Sequence, residues 1–178
     1  MKLIGFAGKK RSGKDTAAQT LVTSCDYTQF SFASLLKEMT TTLLIKLGLD
    51  PLTVARMVNG DLKEMPLPQL MGKTTRHAMQ TLGTEWGRQC IGENFWVAAT
   101  LRQAKTVQKA VISDVRFANE AQAIREAGGK VIELRRPDVR CDDSHPSEQI
   151  DFTVDDVILN VGTIEELQTA VIDYERRN

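Results

Sequence analysis

The sequence predicts an α/β fold: a three-layer sandwich in which helices cover a central, mostly parallel, five-stranded sheet. Two observations carry this expectation. The chain opens with a short apolar run, Lys2 to Ala7, that breaks at Gly8 into a glycine loop followed by a helix-like segment, Asp15 to Ser24. Further on, Ala110 to Ser113, Phe117 to Ala127 and Val131 to Leu134 read as strand, helix and strand, with Gly128 and Gly129 stopping the helix.

Length and composition set the outer bounds. At 178 residues and 19.8 kDa the chain suits one domain, 1–178, with a real core. Lys plus Arg and Asp plus Glu both number 23, so the net charge is zero, which argues against a general nucleic-acid binder. Cys25, Cys90 and Cys141 are odd in number and widely spaced, which argues against a disulfide framework or a zinc site and points to a reducing cytoplasm. The opening apolar run is too short for a signal peptide, and nothing approaches a membrane span.

Lys2 to Ala7 is apolar enough for a buried parallel strand. From Gly8 the spacing is G-x-x-x-x-G-K, with Gly8, Gly13 and Lys14 in phosphate-loop positions and Arg11 and Ser12 between them. Glycines let main-chain N–H groups turn inward around a polyphosphate, and the following helix adds the positive end of its dipole. Lys14 supplies a cation for the outer phosphates. The next position, which in the general motif holds a Ser or Thr facing magnesium, is Asp15, followed by Thr16. Either a carboxylate acting through water or the Thr16 hydroxyl suits the metal, and the sequence does not choose.

Tyr27 to Ala33 alternates polar and aromatic residues as a second strand, and Ser34 is placed to cap a helix, Leu35 to Leu47, ended by Gly48. Lys37, one turn in, is either a solvated helix lysine or a phosphate contact. The prolines at 51, 66 and 68 forbid one long helix, so 49–88 reads as a helical, acceptor-binding insertion. There Arg76, Gln80, Gly83 and Trp86 are expected to share one helix face. Arg76 and Arg88 are either phosphate-gripping donors or surface partners of Glu85. His77 reads as a surface histidine, and Met39, Met57, Met65, Met71 and Met79 as core filler. Trp96, on a helix spanning Asn94 to Val107, is expected to pack.

Asp114 ends a buried strand downstream of the phosphate loop, where a second magnesium-organising acid belongs; the competing reading is a helix cap. Arg116 is expected on the same rim, with Asn119 and Glu120 completing it. The stretch 135–150 is rich in charge and poor in apolar residues, which suits a lid carrying Arg135, Arg136 and Arg140. Asp155 to Val161 reads as a final buried strand leading through Asn160 and Gly162 to a helix from Thr163 to Tyr174.

GKKRSGKDT at 8–16, TLGTEWGR at 81–88, ISDVRFANEA at 112–121, HPSE at 145–148 and DVILNVGTIEEL at 156–167 together resemble the deoxynucleoside monophosphate kinases of bacteriophages. The likeness spans nearly the whole chain and includes the aspartate at position 15. The resemblance implies a P-loop NTPase fold and transfer of the ATP γ-phosphoryl group to a deoxynucleoside monophosphate in the cytoplasm. It implies ATP held by Gly8, Arg11, Ser12, Gly13, Lys14, Asp15, Thr16, Arg135, Asn160 and Gly162, and Mg2+ served by Asp15, Thr16 and Asp114. Lys37, Arg76, Gln80, Arg88, Arg116 and Arg140 would bind the acceptor, while Lys14, Asp114, Arg116 and Arg136 would act on the transferred group. A homodimer is common in that family. The rivals are another small-acceptor kinase, such as a dephospho-coenzyme A or phosphomevalonate kinase, and a nucleotide-binding switch.

Overall fold

β1 (Lys2–Ala7) is the middle strand of a five-stranded sheet in the computed structural model, which describes residues 1–137 and 150–178. It is flanked by β5 (Lys109–Val115) and β6 (Lys130–Arg135), with β2 (Thr28–Phe30) and β7 (Asp156–Leu159) at the edges. Every pairing in this sheet is parallel. A parallel sheet has to be covered on both faces. Side chains alternate accordingly: Ile4, Phe6, Val111, Ile132 and Leu134 enter one core, and Leu3, Ala7, Ala110, Ile112 and Val131 enter the other. The first core is closed by α1 (Lys14–Cys25) and α7 (Ile164–Arg177), the second by α5 (Phe95–Ala104) and α6 (Ala118–Glu126). This is the three-layer sandwich that the strand and loop pattern predicts.

The chain divides into two compact units, Met1–Phe32 with Val97–Asn178, and Ala33–Trp96. The first holds the sheet. Two of its helix starts are set by side chains: Thr163 Oγ1 accepts from Glu166 N (3.3 Å), and Glu166 Oε2 accepts from Thr163 N (2.7 Å), a reciprocal capping box for α7. Glu120 does the equivalent work for α6, accepting from the backbone N–H groups of Arg116 (2.8 Å) and Phe117 (3.1 Å). Glu120 is therefore buried at a helix start and does not stand on the rim as expected. No helix of the described residues is long and apolar enough to cross a membrane.

Two edge strands differ from expectation. β2 stops at Phe30, because the Phe32 N–H leaves the ladder and donates to Asp114 Oδ1 at 2.8 Å. β7 was expected to be buried. It has one neighbour, β6, and only Ile158 is covered, while Val157 and Leu159 are exposed. A short edge strand leaves little unpaired backbone to a foreign chain.

Glu175, near the end of α7, ties the two chain ends to the sheet. Its carboxylate is 11% exposed and accepts from Lys2 Nζ (2.9 Å) and Lys109 Nζ (3.3 Å). The bond from Lys2, seconded by Lys109, holds its pKa below the usual carboxylate value. Glu175→Ala is expected to cost about 1 to 2 kcal/mol in urea unfolding. A carboxyl whose folded pKa is depressed stabilises in full above its unfolded value, about 4.3, and loses that contribution as pH falls through the folded value. The gap between wild type and variant should therefore close on acidification; a gap that stays constant down to low pH would refute the assignment.

The second unit contains α2 (Ser34–Lys46), α3 (Pro51–Asn59), a two-residue hairpin of β3 (Pro66–Leu67) and β4 (Lys73–Thr74), and α4 (Thr75–Thr81) running into a π-helix, Leu82–Ile91. It takes in the predicted 49–88 stretch and adds α2. Its core is Leu44, Val54, Met57, Val58 and Leu67. Asp50 caps α3 by accepting from Thr53 N (3.0 Å), with Pro51 at the first helical position. Ser34 does not cap α2; it is the helix's first residue, and Ala33 occupies the cap. His77 is exposed as expected, and Met57 is buried, but Met39, Met65 and Met71 are exposed, so these three fill no core.

Trp96 packs as predicted and explains the π-helix. Its Nε1 donates to the Gly83 carbonyl at 2.9 Å, and a Cβ on Gly87 would lie 2.2 Å from that nitrogen. The wider hydrogen-bond register from Leu82 onward breaks the predicted face of Arg76, Gln80, Gly83 and Trp86. Trp86 instead stacks edge-on against Phe95, with centroids 5.6 Å apart.

Candidate active site

The turn after β1 is shaped by residues that tolerate left-handed backbone. Gly8 has φ 147°, Arg11 φ 64° and Gly13 φ 101°. Space is as restrictive as dihedral angle: a Cβ on Gly8 would sit 2.6 Å from both the Leu134 carbonyl and Ser12 Oγ, and one on Gly13 would sit 2.7 Å from Asn160 Nδ2. Asn160 locks the loop from outside by donating to the Ser12 carbonyl at 3.0 Å, a buried bond. Ser12 itself is buried, and its hydroxyl makes no hydrogen bond among the described residues.

Gly13 is the N-cap of α1, and the first intrahelical N–H to pair is that of Ala17, with the Gly13 carbonyl at 2.9 Å. The amides of the first turn before it have no acceptor within the helix, which makes them donors for an anion. Lys14 arches back over the loop, with Nζ donating to the carbonyls of Gly8 (2.6 Å) and Lys9 (2.7 Å). A cavity of about 510 Å³ opens in front of these groups. Arg11, Gly13, Lys14, Asp15, Thr16, Arg136, Asn160 and Gly162 all line it, so most of the predicted nucleotide residues of this unit share one space. Thr163, Ile164 and Leu167 line it too. Ile164 and Leu167 lie in the 156–167 stretch and on its predicted helix, but neither was named there as a site residue.

The remaining predicted residues stand apart from that cavity or beyond the described chain. Arg135 forms a two-pronged pair with Glu133, with its Nη2 2.6 Å from Glu133 Oε2, and does not line the cavity. Arg140, and the lid sequence at 138–149, lie outside the described residues. Asp114 is half-buried near the end of β5, where its Oδ1 accepts from the Phe32 N–H at 2.8 Å, and the N-cap position of α6 is Phe117. Arg116 follows β5 and is exposed.

In the second unit, Lys37 is half-buried on α2, Gln80 is exposed, and Arg88 is half-buried in the π-helix. Arg76 pairs with Glu64, not with the predicted Glu85. Beside these runs an unpredicted groove of about 500 Å³, lined by Leu43, Leu44, Leu82 and Trp86, with Thr81 and Glu85 supplying polar atoms.

For a metal, the described residues contain no group of three or more Asp, Glu, His or Cys side chains. A hard cation that keeps waters and phosphate oxygens needs only one or two protein oxygens. Asp15 and Thr16, both lining the Lys14 cavity, offer a carboxylate and a hydroxyl.

A family model described as deoxynucleotide monophosphate kinase matches residues 61–171. A protein of Acanthamoeba polyphaga mimivirus described as "Putative deoxynucleotide monophosphate kinase" is 34% identical over 191 aligned positions, covering 97% of this chain and 95% of its own length. The chain belongs to the deoxynucleotide monophosphate kinase family. The family match begins downstream of the phosphate loop, and the viral relative extends the likeness across it. In fold, this kinase is similar to dephospho-CoA kinase from Campylobacter jejuni, with a TM-score of 0.52 at 15% identity, covering 99% of this chain and 97% of the other. The two chains thus share a fold, and its family makes this chain a nucleotide kinase.

Proposed function

We propose that this kinase transfers the γ-phosphoryl group of ATP to a deoxynucleoside 5′-monophosphate, giving the diphosphate, with Mg2+ as cofactor. The observation that carries the reading is the single cavity in which Lys14, the start of α1 and Arg136 converge. The loop amides and Lys14 hold the β- and γ-phosphates, and Arg136 meets the charge that develops on the transferred group. The Asn160–Thr163 turn, with Ile164 and Leu167 behind it, supplies the surface for adenine. Asp15, Thr16 and Asp114 would hold the magnesium, which would supply positive charge against the phosphates. Lys37, Arg76, Gln80, Arg88 and Arg116 take the acceptor.

No covalent intermediate is needed. The phosphoryl group passes through a loose transition state, so alignment and spread positive charge do most of the catalysis. The test is an ADP-release assay with ATP, Mg2+ and each deoxynucleoside monophosphate, the product identified by chromatography. Release of ADP at the same rate without acceptor, or phosphorylation of dephospho-coenzyme A in preference to every nucleotide, would overturn the reading.

Arg116→Ala is expected to raise the acceptor KM about tenfold, the value of one charge-assisted bond. The ATP KM should hold, because the helix start depends on the Arg116 backbone N–H, which survives the substitution. An unchanged acceptor KM would remove Arg116 from the acceptor site.

A further inference from the structure

Lys63 belongs to no motif and lies in the irregular stretch between α3 and β3. The fold nevertheless fixes it. Its carbonyl accepts from Arg76 N at 3.0 Å, and the preceding Leu62 N donates to the Arg56 carbonyl at 3.2 Å, so both sides of the turn are pinned to helices. The side chain is half-buried, and among the described residues it has no ion pair or hydrogen-bond partner. Its neighbours are instead cations. Burial first, then the charges of Lys37 on α2 and Arg76 on α4, push its pKa down. Glu64 is adjacent in sequence, but its carboxylate is engaged by Arg76.

An ammonium that is partly withdrawn from water beside Lys37, with Glu64 already paired to Arg76, is unfavourable unless something anionic meets it. A lysine serving only solubility would extend into solvent and relieve the repulsion. We infer that Lys63 completes a three-cation site with Lys37 and Arg76 that binds the phosphate of the acceptor nucleotide. The inference rests on the proposed kinase reaction and adds to it a residue that no motif marks. The chemistry of the site is that of a phosphate monoester: three donors from three separate segments suit three terminal oxygens, and a neutral nucleoside has nothing to offer them.

The experiment compares Lys63→Met and Lys63→Arg with wild type, using ATP and the best deoxynucleoside monophosphate. Lys63→Met should raise the acceptor KM about tenfold, with the ATP KM unchanged, and Lys63→Arg should restore most of the loss. Without ligand, Lys63→Met should melt no lower than wild type, since it removes an unpaired cation; a lysine with a structural role would lower Tm. Raised and equal changes in both KM values, or an unaltered acceptor KM, overturn the inference. If no acceptor is phosphorylated by wild type, the kinase reading fails by itself. The site is then judged by Tm alone: the deoxynucleoside monophosphate, but not the matching nucleoside, should stabilise wild type more than Lys63→Met. Equal stabilisation of the two proteins overturns it.

Discussion

Replacing Lys14 by alanine is expected to lower kcat about a thousandfold while leaving the fold in place. The ammonium sits at the mouth of the loop, bonded to the Gly8 and Lys9 carbonyls. It is thus within a side chain's swing of the anion that the loop amides are arranged to hold. A cation aimed at charge that grows during transfer acts on the transition state, so its removal should fall on kcat more than on the KM of ATP. Stability should change little. The loop is closed by the buried Asn160 bond to the Ser12 carbonyl and by the Gly13 cap of α1, neither of which involves the lysine side chain. A Tm within about 3 °C of wild type corresponds to less than roughly 1 kcal/mol for a chain of this size. Near-normal turnover in Lys14→Ala would dismiss the loop as the donor site.

How far such a site is legible in sequence depends on whether local chemistry or tertiary packing decides each residue. Gly8, Gly13 and Lys14 were legible because dihedral freedom and close approach permit little else at those positions, and the spacing alone records it. The start of α7 at Thr163 was equally local, and the structure caps it there with a hydroxyl followed three residues later by a carboxylate. The unbroken apolar runs of β1 and β5 marked both strands as buried, since a parallel strand covered on both faces has no polar side. What failed to show was set by distant partners. The π-helix at Leu82–Ile91 follows from Trp96 seating against Gly87, a contact that helical periodicity cannot anticipate. Exposure of Met39, Met65 and Met71 depends on which side of short elements faces the small core of the second unit. Glu120 follows Asp114 and Arg116 in sequence, which suggests the same rim; its contacts with the Arg116 and Phe117 N–H groups instead bury it at a helix start. Lys63 is the sharpest case, a lone lysine whose neighbours are known only once α2, α4 and its own turn are assembled.

Asp114→Asn is expected to reduce kcat about a hundredfold and to raise the Mg2+ concentration needed for half-maximal activity. The substitution separates two roles that one carboxylate combines. Structurally, Asp114 Oδ1 holds the Phe32 N–H at 2.8 Å, fixing the chain where β2 ends. An asparagine carbonyl can accept the same bond, so the Tm of the variant should stay close to wild type. The charge is what the amide lacks, and charge is what a phosphate-bound divalent cation requires of a residue near the end of a sheet strand. Asp114→Ala serves as the contrast: it loses the Phe32 bond as well and should cost a further 1 kcal/mol or so of stability. Equal turnover in wild type and Asp114→Asn, with the same magnesium requirement, would reduce Asp114 to a backbone anchor. The metal would then rest on Asp15 and Thr16 alone, and the first turn of α1 would have to supply every protein oxygen that the reaction uses.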